Sequence, residues 1–323
     1  TAGTVSHTGV GGLTLGAGFG RLARRFGLAL DNVKSVDIVS ADGRLRHASA
    51  EENQDLYWAV RGGGGNFGVV TAFEFDLHPM QRQVTGGAMI FPVDRARELL
   101  MAYSEISQSA REDLYVDAII SAPRGKPGVF IFDTCYSGPA DQADKAFAPL
   151  RTLGKPIADT IGPIDYVALQ RSGDSTDPRV EGSYLKSGFL DSFPAKLVDT
   201  IADGFVANPD RSTTVFFQHG GGAIGKVPAD ATAFPHRRAV NNMFAVVAWP
   251  LPGDSAAHVG YVKSLWAHLE PYTDGYYTNE VANEAQAIVD ANYQGNLGRL
   301  REVKKRYDPG NLFRLNANIL PAA

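Results

Sequence analysis

Six of the twelve positions from 9 to 20 are glycine, in the order Gly9-Val10-Gly11-Gly12-Leu13-Thr14-Leu15-Gly16-Ala17-Gly18-Phe19-Gly20. A second cluster holds five more glycines, in Gly62-Gly63-Gly64-Gly65-Asn66-Phe67-Gly68. Because glycine has no Cβ, such clusters mark turns with positive φ or places where another group approaches the main chain closely. We therefore predict that a large ligand lies against the backbone at these two clusters.

The overall composition is that of an ordinary globular protein. The chain has 323 residues, of which 44% are hydrophobic and 20% charged, and this argues against intrinsic disorder. The length allows two domains, or one domain interrupted by an insertion. With 31 Lys and Arg against 35 Asp and Glu, the net charge is −4, so we predict no nucleic-acid partner. No apolar run reaches the roughly 18 residues that cross a bilayer, so we predict no membrane partner.

Several site chemistries are excluded by residue type. Cys135 is the single cysteine, which leaves no disulfide within the chain and no multi-cysteine zinc or iron–sulfur site. We read Cys135 as a buried core thiol. His, Asp and Glu form no cluster with metal-ligand spacing, so we predict no metal. The G-x-S-x-G pattern of a serine nucleophile is also absent.

Hydrophobic periodicity predicts alternating helices and strands along the chain. Helices are predicted over 21–27, 51–61, 94–109, 139–153, 194–207, 255–270 and 280–307. Strands are predicted over 31–40, 45–48, 69–77, 88–92, 114–122, 128–136, 213–219 and 243–249. This order favours an α+β fold with an antiparallel sheet over a parallel, doubly wound one.

The first glycine cluster also suggests a nicotinamide-binding loop. Its core, Gly16-Ala17-Gly18-Phe19-Gly20, is G-x-G-x-G, whereas the dinucleotide fingerprint is G-x-G-x-x-G within a strand–turn–helix unit. Arg21 stands at the sixth position and no clear strand precedes the cluster. An NAD-dependent dehydrogenase is therefore a disfavoured alternative, although free N–H groups in such turns can still bind an anionic cofactor.

Motifs along nearly the whole chain resemble one family of flavoproteins. They are Thr8 to Gly20, Asp31-Asn32-Val33, Val39-Ser40-Ala41-Asp42-Gly43, Asp55 to Gly64 and Asn66-Phe67-Gly68-Val69-Val70, and later Phe234-Pro235-His236-Arg237, Arg299 to Lys304, Tyr307-Asp308-Pro309, Asn311-Leu312-Phe313 and Asn316-Ala317-Asn318-Ile319. In this order they resemble the FAD-linked oxidases of the vanillyl-alcohol oxidase/p-cresol methylhydroxylase (PCMH) superfamily, in particular the berberine bridge enzyme-like branch.

The resemblance implies a divided architecture. Residues 1–79 would form the second part of a PCMH-type FAD-binding domain, to which residues 281–323 return. Residues 80–280 would form an inserted substrate domain, an antiparallel sheet backed by helices, with the isoalloxazine ring between the two. The family's first FAD subdomain would lie before Thr1, and we expect it to be absent from this chain. Whether a separate N-terminal half of the same protein is a partner stays open.

The implied activity is that of an FAD-dependent oxidase. Such an enzyme removes a hydride from a CH–OH or CH–NH carbon of a small organic substrate and passes the electrons to O2, which gives H2O2. The expected partners are thus FAD, the small-molecule substrate and O2. A non-catalytic or truncated fragment that has lost flavin binding is the alternative. We expect a cytoplasmic protein; secretion stays open because the sequence does not begin with Met.

The resemblance also implies a set of cofactor contacts. They fall on or next to the two glycine clusters and on the closing segment: Thr4, Val5, Thr8, Gly9, Gly11, Gly12, Leu13, Gly16, Gly18, Gly68, Val69, Val70, Asn316 and Asn318. A cysteine that some members bond to the flavin would fall near Val5, so no cysteinyl link is expected.

The base of the reaction is assigned by the same resemblance to Tyr293, just before the Arg299-Leu300 helix. A phenol has a pKa of about 10 and needs a neighbour that lowers it; the alternative is a tyrosine that packs at a domain seam. Tyr277 and His219 are predicted to contact substrate, against the alternatives of a loop tyrosine and a strand-end histidine. The strand after Arg237 reads Asn242-Met243-Phe244-Ala245 and offers no second acid or base.

Overall fold

The computed structural model describes residues 2–122, 125, 127–174, 181–207, 213–280 and 284–323. Near the N-terminus lies a small antiparallel sheet in the order β2-β1-β3, with β1 Val33–Val39, β2 Leu45–Ser49 and β3 Val69–Phe75. The predicted Asp42-Gly43 turn joins β1 to β2, and Gly43 there adopts φ 75°. The predicted strands are thus present within a few residues of their expected limits.

A larger antiparallel sheet forms the middle of the chain, in the order β7-β4-β6-β5-β10-β11-β9, with β8 also paired to β4. Its strands are β4 Gln83–Pro92, β5 Leu114–Ala122, β6 Val129–Tyr136, β7 Ala158–Asp159, β8 Gly162–Asp165, β9 Glu181–Leu190, β10 Thr213–His219 and β11 Asn241–Pro250. The predicted antiparallel α+β fold is confirmed.

The helices fall into a group around each sheet. They are α1 Val10–Gly16, α2 Ala23–Phe26, α3 Gln54–Val60, α4 Ala96–Ser109, α5 Ala143–Arg151, α6 Tyr166–Arg171, α7 Ala195–Ile201, α8 Ala256–Leu269, α9 Gln286–Asn292 and α10 Leu297–Tyr307. Of the single helix predicted over 280–307, residues 281–283 lie outside the described residues; the rest holds two helices, α9 and α10, and Gln294 adopts φ 47° between them. No helix in the described ranges is long and apolar enough to cross a membrane.

One face of the large sheet is covered by helices. Strand alternation points Val116, Ala118 and Ile120 of β5 into a core with Leu99 of α4, Leu197 of α7 and further apolar residues of α8. The opposite face carries the alternate residues of each strand. On this face Leu169 of α6 packs with Tyr115 and Cys135, and Phe19, in the first glycine cluster, lies in one core cluster with Phe189 and Phe244.

The two ends of the chain share a second core. Val36 of β1 and Trp58 of α3 pack in one cluster with Leu300 of α10 and with Ile319 near the C-terminus. Neither segment is large enough to bury this apolar surface alone. The shared core agrees with the split domain that we predict, although the exact boundaries 1–79, 80–280 and 281–323 stay a prediction.

A third cluster joins the N-terminal part to the large sheet. Phe19 packs against Phe189 of β9, Phe234 and Tyr277, with ring centroids 6.0, 6.1 and 5.3 Å away. The buried guanidinium of Arg237 donates two hydrogen bonds of 2.9 Å to the two carboxylate oxygens of Asp31. These contacts fix the first glycine cluster against the sheet.

Candidate active site

A cavity of about 430 Å³ opens beside the first glycine cluster. Its walls come from the start of the chain, from α1, from the end of β3 and from α6: Ala2, Gly3, Val5, Ser6, Thr8, Val10, Leu13, Thr14, Asn32, Phe75, Asp76, Leu77, Tyr166, Val167 and Gln170. Val5, Thr8 and Leu13, three of the predicted cofactor residues, are among them. A ligand can therefore reach the glycine-rich backbone from this side.

Three glycines at the N-terminal end of α1 leave free space above the main chain. A Cβ built on Gly9, Gly11 or Gly12 would meet nothing within 4 Å. Glycine inside a helix costs about 0.5–1 kcal/mol relative to alanine, and the described residues around these three positions do not require it. Bare backbone facing open space fits a large ligand that lies directly on α1.

Gly16 and Gly18, by contrast, are required by contacts within the chain. A Cβ on Gly16 would lie 1.9 Å from Oδ1 of Asn279, and Gly18 has φ 92° with Ala29 Cβ 2.3 Å from its own built Cβ. These two glycines are predicted cofactor contacts, and packing against Asn279 and Ala29 also requires glycine at both positions.

The segment before α1 is held by two side chains of other elements. Arg21 donates hydrogen bonds to the Thr4 carbonyl and to Gln170 Oε1, and is ion-paired with Asp133 of β6. Gln170 of α6 donates to the Gly3 carbonyl. Thr4, a predicted cofactor contact, is therefore fixed through its main chain.

The second glycine cluster is bonded both to the first cluster and to the C-terminal segment. The Gly62 N–H donates to the Leu15 carbonyl over 2.9 Å. Asn66 Nδ2 donates to the carbonyls of Gly63 and Ala317 at 2.7 and 3.0 Å, and the Ile319 N–H donates to Asn66 Oδ1 at 3.1 Å. Asn66 thus connects this turn to the C-terminal segment.

Asn316 and Asn318, the two predicted flavin contacts of the C-terminal segment, flank Ala317 in this connection. Asn316 is exposed, and its Nδ2 lies 2.9 Å from the position of a Cβ built on Gly65. The Oδ1 of Asn318 is buried and has no hydrogen-bond partner in the described part of the chain. A buried amide oxygen without a partner is costly unless a ligand or water binds it, so this atom fits a cofactor contact.

The remaining predicted cofactor residues lie at the start of β3. Gly68 is required locally, since a Cβ there would lie 2.4 Å from the Val39 carbonyl oxygen. Val69 is 58% exposed and Val70 half-buried on the edge strand of the small sheet. The two valines thus present accessible backbone and side chains beside the second cluster.

Tyr277 lies where the first glycine cluster meets the large sheet. Its buried hydroxyl oxygen accepts hydrogen bonds from the Gly18 N–H at 3.2 Å and from Asn279 Nδ2 at 3.0 Å. Burial raises the pKa of Tyr277 to about 12. The predicted exposed-loop alternative is wrong for this residue, and its hydroxyl already serves the contact with the glycine cluster.

Tyr293, the base implied by the resemblance, lies inside the second core. Its side chain is 2% exposed and packs in the cluster that contains Trp58 and Leu300. Burial raises the pKa of the Tyr293 phenol, whereas a base at neutral pH needs a lowered pKa. The geometry therefore favours the seam-packing alternative over the role of base for Tyr293.

His219, predicted to contact substrate, has both ring nitrogens bonded inside the protein. Nδ1 pairs with the Val116 N–H at 3.1 Å and Nε2 with the Ser107 carbonyl at 2.9 Å, and the residue is fully buried. The structure thus places His219 in the core as the strand-end histidine of the alternative interpretation. It presents no free nitrogen to a ligand.

The face of the large sheet opposite α4, α7 and α8 offers an apolar floor next to these elements. Register pairs Phe216 of β10 with Phe244 of β11 and with Ile119 of β5, which in turn pairs with Ile131 of β6. The rings of Phe216 and Phe244 stack with centroids 4.3 Å apart. We call Ile119, Ile131, Phe216, Phe244 and the half-buried Val246 the open face.

A polar row runs beside the open face, towards the glycine cluster. It holds Asp133, Asp117, Gln218 and Asn242 on neighbouring strands. Burial raises the pKa of Asp117 to about 7, although Tyr115 Oη and the His219 N–H both donate to it. Sequence reasoning did not single out this row, because strand pairing alone brings its members together. No group of His, Cys, Asp or Glu in the described residues could hold a metal ion.

The sequence is similar to those of known flavoproteins. Residues 276–320 match the family model described as berberine and berberine-like. An FAD-linked oxidoreductase of Dictyostelium discoideum is 30% identical over 323 residues, which cover 99% of this chain and 70% of the relative. The chain belongs to the berberine bridge enzyme-like FAD-linked oxidoreductases.

Other members of the family align over almost the whole chain. The monolignol oxidoreductase AtBBE-like 13 of Arabidopsis thaliana is 27% identical over 98% of this chain and 66% of its own length. The crystal structure of 6-hydroxy-D-nicotine oxidase from Arthrobacter nicotinovorans superposes with a TM-score of 0.87 and 26% identity, over 99% of this chain and 73% of that one. The resemblance inferred from the motifs is confirmed, and with it the assignment as an FAD-linked oxidoreductase.

Proposed function

We propose that this protein is an FAD-dependent oxidase that removes a hydride from a CH–OH or CH–NH carbon of a small organic substrate and yields H2O2. One observation supports the proposal: the two glycine clusters are bonded to each other and to the C-terminal segment that carries the asparagines, and the first cluster shares a core cluster with Phe244 of the open face. The Leu15–Gly62 hydrogen bond joins the clusters, and Asn66 joins them to the C-terminal segment.

The residues present fit FAD. The free backbone of Gly9, Gly11 and Gly12 would carry the flat or anionic parts of the cofactor, and the unpartnered Oδ1 of Asn318 would accept a hydrogen bond from it. When bound, FAD supplies the two-electron acceptor of the reaction, which no side chain of the protein can provide.

The open face would carry the substrate. Phe216 and Val246 are half-buried and belong to the sheet face opposite α4, α7 and α8. Apolar side chains on a rigid sheet bind the carbon skeleton, exclude water and leave orientation to a few polar groups at the edge. Substrates with a flat or apolar skeleton fit this floor better than polar sugars.

The test is to follow bound flavin through both halves of the reaction. FAD-loaded protein is mixed without oxygen with coniferyl alcohol, a monolignol, or with 6-hydroxy-D-nicotine, chosen because relatives are named for such substrates. We expect bleaching of the flavin absorbance, and on admission of O2 its return with one H2O2 per flavin. Bleaching without H2O2 on reoxidation would exclude an oxidase, and FAD that is never reduced would favour the non-catalytic alternative.

A further inference from the structure

A tight turn places Glu280 between the first glycine cluster and the large sheet. The Glu280 N–H donates to the Tyr277 carbonyl over 3.1 Å, which closes the turn. The Tyr277 N–H donates to Ser187 Oγ of β9 at 3.0 Å, and Asn279 Nδ2 donates to the Leu13 carbonyl at 3.0 Å. The turn is therefore bonded on one side to the sheet and on the other to α1.

Ser187 shows where this turn lies relative to the open face. It pairs in register with Phe244, whose ring stacks on Phe216. The turn thus stands at the β9 edge of the apolar floor, and Glu280 follows directly after the Asn279 side chain that covers Gly16. This is the junction of the proposed FAD site and the proposed substrate site.

The carboxylate of Glu280 is free to act. No hydrogen bond or ion pair joins it to another side chain within the described ranges, and the residue is exposed. Surrounding atoms nevertheless desolvate it enough to raise its pKa above 4.5.

The charged groups around the turn do not neutralise Glu280. Tyr277 is the titratable neighbour within the turn, and its hydroxyl is bonded to Gly18 and Asn279. Residues 13–18 of the glycine cluster contain no ionisable side chain. On β9, Lys186 is paired with Glu284.

The other acids near the open face are already engaged. Asp133 is ion-paired with Arg21, and Asp117 is buried and accepts hydrogen bonds from Tyr115 and His219. Tyr293 is enclosed in the second core. Among the described acids and phenols at this junction, Glu280 alone combines access with a free oxygen atom.

We propose that Glu280 is the catalytic base of the oxidation, an inference that rests on the oxidase function proposed above. Its carboxylate takes the proton of the substrate O–H or N–H. The electron pair of that bond becomes the second bond of C=O or C=N, while the C–H pair leaves the carbon with its hydrogen as a hydride. The substrate thus loses two electrons, for which bound FAD would be the acceptor. O2 later accepts the two electrons and two protons, giving H2O2, and Glu280 returns to the carboxylate.

Three variants separate this role from a structural one. Glu280→Gln keeps size and polarity but cannot accept the proton, and Glu280→Asp keeps the carboxylate on a shorter side chain. Glu270→Gln is the matched control, since Glu270 is exposed in the short turn before Gly275 and away from the glycine cluster. All three should bind FAD as tightly as the wild type and show its flavin spectrum.

The rate of anaerobic flavin reduction by coniferyl alcohol or 6-hydroxy-D-nicotine is then measured from pH 4 to 9. We expect Glu280→Gln to slow it by roughly 10²–10⁴-fold, the usual effect of losing a general base, and to abolish the rise of the rate with pH at the acidic end. Glu280→Asp should be slowed less than Glu280→Gln, because it keeps a carboxylate. Glu270→Gln should reduce its flavin at the wild-type rate. Reoxidation of dithionite-reduced flavin by O2 should be unchanged in every variant.

A second measurement does not depend on turnover. In protein labelled with ¹³C at the Glu carboxyl groups, the resonance lost in Glu280→Gln should titrate above the ordinary 4.5. A titration at or below 4.5, or reduction by Glu280→Gln within threefold of the wild type, would overturn the assignment while leaving the oxidase intact. Wild-type flavin that neither probe reduces would instead refute the oxidase proposal, and the base with it.

Discussion

Replacing Lys304 by Met should destabilise the protein more than any other single loss of charge near the C-terminus. The Lys304 ammonium is fully buried and uses all three of its N–H donors, to the Asn66 carbonyl at 2.7 Å, Asp308 Oδ2 at 2.6 Å and the Phe313 carbonyl at 2.7 Å. It thus ties α10 to both the second glycine cluster and the C-terminal segment.

The magnitude follows from what Lys304→Met leaves behind. Asp308, also fully buried, would keep only the N–H donors of Leu312 and Phe313, at 2.8 and 2.9 Å. Removing one partner of a buried ion pair costs about 3–5 kcal/mol, because the remaining charge is uncompensated. That is a large share of the roughly 5–15 kcal/mol by which such proteins are stable.

Urea unfolding with linear extrapolation measures this loss. Lys305→Met is the matched control: Lys305 is exposed on the same helix, and its substitution should change the free energy of unfolding by less than about 0.5 kcal/mol. Adding Asp308→Asn to Lys304→Met should recover part of the loss, since no buried charge then stays unpaired. A Lys304→Met protein within about 1 kcal/mol of the wild type would refute the reasoning.

Three further changes test other parts of the structure. Because Tyr293 lies in a core, Tyr293→Phe should leave anaerobic flavin reduction nearly unchanged, and a slowing of 10²–10⁴-fold would restore it as the base. Gly62→Ala should lower the free energy of unfolding in urea by more than about 2 kcal/mol, because Gly62 has φ 120° and the new Cβ would lie 2.3 Å from the Phe234 nitrogen. Gly298→Ala is the control: Gly298 lies in α10 with nothing within 4 Å of a built Cβ, so this variant should raise the free energy of unfolding by about 0.5–1 kcal/mol. Burial raises the pKa of Asp117 from 3.8 to about 7, so between these values the folded state binds more protons than the unfolded state, and stability falls as pH rises. The difference in Tm between Asp117→Asn and the wild type should therefore grow in favour of the variant from pH 4 to 7, and a constant difference would contradict this sign.

Much of the fold could be predicted from local pattern, and the exceptions have a physical cause. The predicted strand over 213–219 is β10 itself, because its alternation is regular. Strand β9 was missed, since Gly182 and Gly188 weaken any strand pattern. Those glycines are required by distant neighbours: a Cβ would lie 2.5 Å from Trp249 at the first and 2.5 Å from Thr273 at the second.

The candidate site was predictable where it depends on the main chain. Both glycine clusters and the C-terminal asparagines lie together as the motifs indicate. The side chains that connect different helices and strands were not predictable, because the sequence around each of them does not set it apart from other residues of its type. Arg21 reads as one of several arginines in its segment, yet only in the folded chain does it meet Thr4, Gln170 and Asp133. Glu280 likewise cannot be singled out from the sequence, because only the folded turn at Tyr277–Glu280 places it next to α1.

The central claim is that the two glycine clusters and the C-terminal segment hold FAD. Its most direct test is the amount of flavin bound per chain, measured by absorbance after the purified protein is saturated with FAD and freed of unbound cofactor. The account predicts one FAD per chain, and a substantial loss of affinity when Gly11 and Gly12 in α1 are replaced by valine, which would fill the open space above the helix. A chain that binds no FAD, or a Gly11→Val, Gly12→Val protein that binds it as tightly as the wild type, would contradict the account.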